Sequence, residues 1–392
     1  MKAIEGSLCT LLFFVAVVAG SAAPAVAGGR GEKAPQPKAR TYYIAADEVE
    51  WNYAPQGKNV IANAPFDKPQ SVFTESGPHR IGSKYLKAIY REYTDATFTQ
   101  LRPRPADQQY LGILGPIIHA EVGDTIKVVF RNNGSHPYSM HPHGVFYAKD
   151  SEGVAYGHPG TSADQDHGVV PPGGTHTYIW QVPERAGPGQ NDPSSVVWLY
   201  HSHVMERKDV NSGLIGAIVV TRRGEANPDG TPKGIDHEFV ALFMMFNEND
   251  SWYLQHNIQT YTGDPKGVNT ADIYPMDADG TYSLVGSGFI DSNIKSAING
   301  YLYGNGPKME MRRGDHVRWY LVTIGFGFNF HTPHWHGNVV TTGGQRTDVV
   351  AISPAQMITA DMVPDDPGIW LFHCHVSDHM DMGMMTLYEV NP

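Results

Sequence analysis

Trp370-Leu371-Phe372-His373-Cys374-His375-Val376-Ser377-Asp378-His379-Met380-Asp381-Met382-Gly383-Met384 decides how the rest of the chain is read. As a β-strand running into a tight loop, it sends alternate side chains to opposite faces. Cys374 then points one way, and His373 and His375 the other. After the turn, His379 and Met384 come back to the thiolate side. Two His, one Cys and a weak axial Met are the ligand set of a blue-copper electron-transfer centre. The opposite face offers two imidazoles to a different metal, bonded in the chain to Cys374 on either side. An electron arriving at the Cys site has a short covalent route to the second one.

Outward from this stretch, three further His-x-His pairs occur: His141-Pro142-His143, His201-Ser202-His203 and His334-Trp335-His336. Each puts two imidazoles on one strand face. Eight converging imidazoles suit a cluster of several copper ions, whereas solvent-facing histidines would not recur at matched positions. His331, ahead of His334, supplies the second imidazole for the Cys site. The other nine His, among them His79, His119 and His256, show no such pattern and read as surface or core residues.

The pairs belong to an internal repeat. Gly123-Asp124 to Phe130 is answered by Gly314-Asp315 to Leu321, His141-Pro-His143-Gly144 by His334-Trp-His336-Gly337, and Val197-Trp-Leu-Tyr-His201 by Ile369-Trp-Leu-Phe-His373. In the first copy Tyr138 stands for His331, Ser202 for Cys374, Arg207 for His379 and Leu214 near the axial position. That copy has no blue-copper ligands, so its histidine pairs serve the cluster alone.

Short β-type runs such as Thr41–Ile44, Val122–Phe130, His176–Val182 and Val196–His201, broken by Gly, Pro, Asn and Asp, favour a β-sandwich or Greek-key barrel over helices. With 392 residues the chain can hold two full cores. Residues 1–27 read as a secretory signal, with Lys2, the apolar run Leu8 to Val18 and Ala25-Val26-Ala27. Residues 28–40 read as a flexible arm, 41–222 as domain 1, the polar Pro/Gly-rich 223–235 as a linker and 236–392 as domain 2. The expectation is an exported protein, secreted or periplasmic, with no membrane span. Cys9 falls in the signal, which leaves Cys374 unable to form an intrachain disulfide. A net charge of −11 argues against nucleic acid and anionic membranes as partners.

His-x-His-Gly, His-x-His, His-x-x-His-x-His-Gly and His-Cys-His-x-x-x-His-x-x-x-x-Met together resemble the four copper motifs of the multicopper oxidases. Tyr42-Tyr-Ile-Ala-Ala-Asp-Glu-Val-Glu-Trp51, Tyr90-Arg-Glu-Tyr-Thr-Asp-Ala-Thr97, Leu111-Gly-Ile-Leu-Gly-Pro116 and Asn247-Glu-Asn-Asp-Ser-Trp-Tyr-Leu254 are similar to the ceruloplasmin branch. The resemblance implies an all-β chain of two tandem cupredoxin-like Greek-key barrels. It implies a type 1 copper on His331, Cys374, His379 and Met384, and a type 2 copper on His141 and His334. A type 3 pair would sit on His143, His201, His203, His336, His373 and His375. It further implies four coppers per active unit, dioxygen reduced to water, Cys374, His373 and His375 as the electron path, and a homotrimer whose clusters lie between subunits.

For the reducing substrate, Asp291 and Asp378 match acidic positions of the branch's iron site. Ser296, however, stands where that branch has His, and Val197 falls near where an adjacent domain supplies Glu. Either acid also reads as an exposed loop carboxylate. Met357, Met362, Met380, Met382 and Met385 suit copper(I) or, more simply, packing. The sequence therefore favours laccase-like oxidation of phenols or aromatic amines, with iron(II) or copper(I) oxidation as the alternative. A copper nitrite reductase would have its Cys in the first domain, and a simple electron carrier would leave the four His pairs unexplained.

Overall fold

The computed structural model describes residues 36–156, 166–270, 288–325 and 329–392. The expected signal, with Lys2 and Cys9, lies outside these residues, as does most of the expected arm. Two copies of one strand arrangement follow each other. In the first, a five-stranded sheet runs Lys84–Tyr93, Ala39–Asn52, Thr125–Asn132, Thr175–Gln181 and Phe146–Tyr147 in spatial order. A four-stranded sheet runs Ile118–Glu121, Ile215–Thr221, Ser195–His201 and His141–Pro142. Ile44, Val128 and Trp180 of the one share a buried core with Ile118, Tyr200 and Ile218 of the other.

The second copy repeats the order. Its larger sheet runs Ile294–Ile298, His237–Asn247, Val317–Val322, Met357–Met362, Val340–Thr342 and Gln345–Thr347. Its smaller sheet runs Met309–Arg312, Met385–Asn391, Gly368–Cys374 and Pro333–Trp335. The parallel pairs correspond as well. Ala39–Asn52 lies beside Thr125–Asn132 as His237–Asn247 lies beside Val317–Val322. Ile118–Glu121 lies beside Ile215–Thr221 as Met309–Arg312 lies beside Met385–Asn391. Parallel neighbours need crossover connections, and these produce the all-β, cupredoxin-like Greek-key order that the resemblance implied.

Thr125–Asn132 shows how the elements arise, since Ile126, Val128 and Phe130 turn inward while the residues between them are more exposed. Ile215–Thr221 does not alternate, because every residue in it is buried. Ile218 and Val220 face the first core, whereas Ile215, Ala217 and Val219 pack into the second. A strand covered on both faces reads as one continuous apolar run. The sheet that carries His201 is thereby clamped between two cores.

Polar groups fasten the same seam. Arg318 grips Asp361 through two bonds of 2.6 and 2.8 Å and donates to Ser194 and Ser195 at 2.7 Å. Lys87 and Glu248 form a fully buried ion pair, and Lys87 Nζ also donates to the Asn211 carbonyl at 2.7 Å. The first strand begins at Ala39 and so takes in the last two residues of the expected arm. Within 223–235 the chain turns back on itself, with Ala226 bridged to Pro232 and Thr221 Oγ1 donating to the Gly230 carbonyl. Short helices at Lys68–Thr74, Glu206–Ser212 and Leu254–Tyr261 had no periodic signal in the sequence. No helix among the described residues is long and apolar enough to cross a membrane.

Candidate metal centres

Cys374 ends the strand Gly368–Cys374. The following residues form not an open loop but a short helix, Ser377–Asp381, which carries His379. Met384 N then returns to the His379 carbonyl at 2.9 Å, and Cys374 N donates to the Met384 carbonyl at 3.1 Å. This clasp gathers the predicted ligands. Cys374 Sγ lies 3.7 Å from His379 Nδ1 and 3.9 Å from His331 Nδ1, and the two nitrogens are 3.1 Å apart. All three side chains and Met384 are buried.

The donor chemistry fits a soft metal ion. Asn329 Oδ1, 3.3 Å from His331 Nε2, can accept that ring's proton and leave the Nδ1 lone pair facing the sulfur. Burial, then the neighbouring His379, holds the His331 pKa down to about 3. Burial also lowers His379, while Asp378 acts in the opposite direction. Two neutral imidazoles with converging lone pairs repel unless a cation lies between them. Burial pushes the Cys374 thiol up, against bonds from Thr332, so a coordinated metal would have to displace its proton.

On the other face of the strand, sheet register pairs the histidines. His373 stands opposite His334, just as His201 stands opposite His141 in the first copy. His373 Nε2 is 3.1 Å from both His334 Nδ1 and His336 Nε2, and the His375 ring lies 5.1 Å from that of His334. His373 Nδ1 faces the Cys374 carbonyl at 2.8 Å. In the first copy His143 Nε2 is 3.1 Å from His201 Nε2, with the rings of His141 and His203 5.2 Å apart. His141 Nδ1 faces the Glu152 carbonyl at 2.7 Å and His201 Nδ1 the Ser202 carbonyl at 3.1 Å. These carbonyls can accept the Nδ1 protons, which would leave each Nε2 lone pair free to hold a metal. Burial, then neighbouring imidazoles, holds His143 to about 4. At His373 burial again comes first, partly opposed by the Cys374 carbonyl, and the value is also about 4.

The eight imidazoles thus form two quartets. Among the described residues no hydrogen bond or ring contact joins one quartet to the other. His336 and His375 are exposed. His203 Nε2 is 3.3 Å from Glu206, and His334 Nε2 is 3.6 Å from Asp348, two acids that the sequence reading missed.

Where a blue-copper site would stand in the first copy, the residues close on one another. Ser202 Oγ donates to Asp209 at 2.7 Å, Tyr138 OH meets Tyr253 OH at 2.8 Å, and Leu214 is fully buried. Arg207, expected at the position of His379, instead projects outward to Asp250. The buried acid there is Asp209, which also accepts from Val204 N, Met205 N and Trp252 Nε1.

Asp378 is exposed at the start of the helix that carries His379. Asp291 is only 3% exposed, so the loop-carboxylate reading fails for it, because Phe289–Ser292 is a buried helical turn. Ser296 is buried and donates to Met382 Sδ at 3.8 Å. Val197 is buried in Ser195–His201 where that strand packs on Met357–Met362. Met362 and Met382 belong to the second core, with Met357 and Met385 packed against it.

Two models described as multicopper oxidase match this chain, over residues 107–225 and 278–392. Human ferroxidase HEPHL1 is 43% identical and human ceruloplasmin 41% identical, each over 90% of this chain. The chain spans 29% and 30% of the length of those two relatives. The solved blue copper oxidase from Nitrosomonas europaea, 17% identical, superposes with a TM-score of 0.51 over 91% of this chain and 86% of its own, a likeness of fold.

Proposed function

The chain belongs to the multicopper oxidase family, and on that premise we propose that it oxidises iron(II) and delivers the electrons to dioxygen. Type 1, type 2 and paired type 3 coppers, when bound, would supply single-electron acceptance and the four-electron reduction of dioxygen to water. His331, Cys374, His379 and Met384 would hold the first. His141 and His334 would hold the second, and His143, His201, His203, His336, His373 and His375 the pair. The observation that carries this reading is the strand end itself. Cys374 is buried between two converging imidazole nitrogens, while His373 and His375, its covalent neighbours, serve the opposite face.

Iron(II) takes precedence over phenols, reversing the preference drawn from sequence, because a relative named as a ferroxidase matches along 90% of the chain. The exposure of Asp378 beside His379 supports it, since oxygen donors and negative charge favour iron(III) over iron(II). Four of the five methionines, Met357, Met362, Met382 and Met385, are accounted for as core packing, which weakens the copper(I) reading.

That no hydrogen bond or ring contact joins the quartets among the described residues supports clusters completed between chains, in a ring closed by heterologous contacts; we favour the trimer. Exposed apolar side chains lie near each quartet in sequence: Phe146 and Met205 by the first, Val339 and Ile369 by the second. Such side chains suit a contact surface.

The test is oxygen consumption by copper-loaded protein with iron(II), copper(I) and a substituted phenol compared side by side, each metal corrected for autoxidation. Iron(II) should give the dominant, saturable rate, and His143→Ala or His375→Ala should abolish it. A dominant phenol rate would overturn the metal-ion reading, and no uptake with any donor from fully loaded protein would overturn the oxidase itself.

A further inference from the structure

A cleft of about 400 Å³ opens well away in sequence from every copper ligand, walled by the first copy of the fold except for Tyr301 of the second. Trp51 and Tyr301 form its aromatic side, their ring centroids 5.1 Å apart. Ile89, Leu101 and several prolines add apolar surface. Its charged lining is Arg91, Arg102 and Arg104 against the single carboxylate of Glu92. In a chain of net charge −11, this local excess of cation is conspicuous.

The three guanidinium groups are not equally satisfied. Arg102 holds Glu92 at 3.0 Å, and Arg91 reaches Asp47 at 3.6 Å. Arg104 donates to the carbonyls of Gly112 and Leu114 at 2.8 and 2.6 Å. Among the described residues it has no carboxylate within ion-pair distance. Burial lowers its pKa, with nearby tyrosines acting in the opposite direction, yet a guanidinium stays protonated in proteins. A half-buried cation met only by peptide carbonyls is left with spare capacity for an anion. The size and mixed lining are those of a small-molecule site.

We infer that this cleft binds a small planar aromatic carboxylate, its carboxylate on Arg104 with Arg91 at the rim, and its ring against Trp51 and Tyr301. The bidentate geometry of guanidinium and carboxylate favours such a head group, and a flat body matches the aromatic side. The site is independent of the proposed oxidase reaction.

Calorimetric titration of the copper-loaded full chain with 2-naphthoate tests this. One saturable site per chain is expected, with inorganic phosphate and the neutral 2-naphthalenemethanol each weaker by about tenfold or more. Arg104→Lys keeps the charge but loses the fork, and should weaken binding about tenfold. Because Arg104 also braces Gly112 and Leu114, the rim variant Arg91→Gln is run beside it and should weaken binding about threefold without lowering the melting temperature. Absence of binding would overturn the assignment, as would phosphate or the alcohol binding equally well, or binding indifferent to both substitutions.

Discussion

Gly144 and Gly337 follow the histidine pairs in each copy, and both have φ of +74°. A Cβ at Gly144 would stand 2.1 Å from the Trp198 indole, and one at Gly337 would stand 2.5 Å from that of Trp370. Carbon atoms rest about 3.5–4.0 Å apart, so alanine must displace the indole or the backbone by roughly 1.4 Å or more at Gly144 and 1 Å at Gly337. Left-handed backbone costs about 1–2 kcal/mol for alanine, and overpacking adds about 1–3 kcal/mol. Each variant should therefore lose about 2–5 kcal/mol. The larger consequence is at the metal, because ligand distances tolerate only about 0.2 Å and His143 is the preceding residue. Gly144→Ala should keep the thiolate–copper visible absorption of the Cys374 centre while losing copper from the cluster, read by metal analysis and electron paramagnetic resonance. Gly343→Ala is the control, because Gly343 has φ of +55° but nothing within 4 Å of its added Cβ, so it bears the backbone cost alone. If Gly144→Ala lost no more stability than Gly343→Ala and bound a full complement of copper, the packing argument would be wrong.

Lys87→Met should destabilise the protein by about 3–5 kcal/mol by stranding Glu248 as a buried charge; denaturant unfolding checks this, and Lys87→Met combined with Glu248→Met should recover much of the loss. Burial holds His331 to about 3 and His143 and His373 to about 4, below the value of 6.5 expected in the unfolded chain. The unfolded chain therefore takes up these protons first. The apoprotein should keep their contribution above pH 6.5 and lose it as pH falls toward 4, and a flat urea midpoint between pH 7 and 5 would count against this. Chelation of copper should lower the melting temperature and shift sedimentation toward smaller species, whereas an apoprotein of unchanged size and heat stability would contradict clusters shared between chains.

The strand grammar and the duplicated fold were legible because alternating burial writes itself into strands such as Thr125–Asn132. The meeting of Cys374 with His379 was legible because the two are chemically distinctive and lie close in sequence, and that of His331, 43 residues away, because it precedes a repeated histidine pair. Ile215–Thr221 carries no alternation because both of its faces are covered, a tertiary fact. The buried pair Lys87 and Glu248 lies 161 residues apart, and nothing local marks either as partnered. Position in the repeat matches Arg207 to His379, but Glu206–Ser212 is helical and turns it to the surface, leaving Asp209 inside. Asn329, which orients His331, is of a residue type too common in loops to be singled out. The burial of Asp291 is not legible because four helical residues, Phe289–Ser292, give no detectable period.

The lack of any contact between the two quartets among the described residues changes what counts as the working unit. If clusters form between chains, the unit is the junction rather than the polypeptide. An open row of subunits has one junction fewer than it has members and leaves an unsatisfied quartet at each end. Closing the ring supplies the last junction and leaves none spare. Dilution would then act on such a protein as an inhibitor does, by dissolving sites whose every residue is still correctly folded.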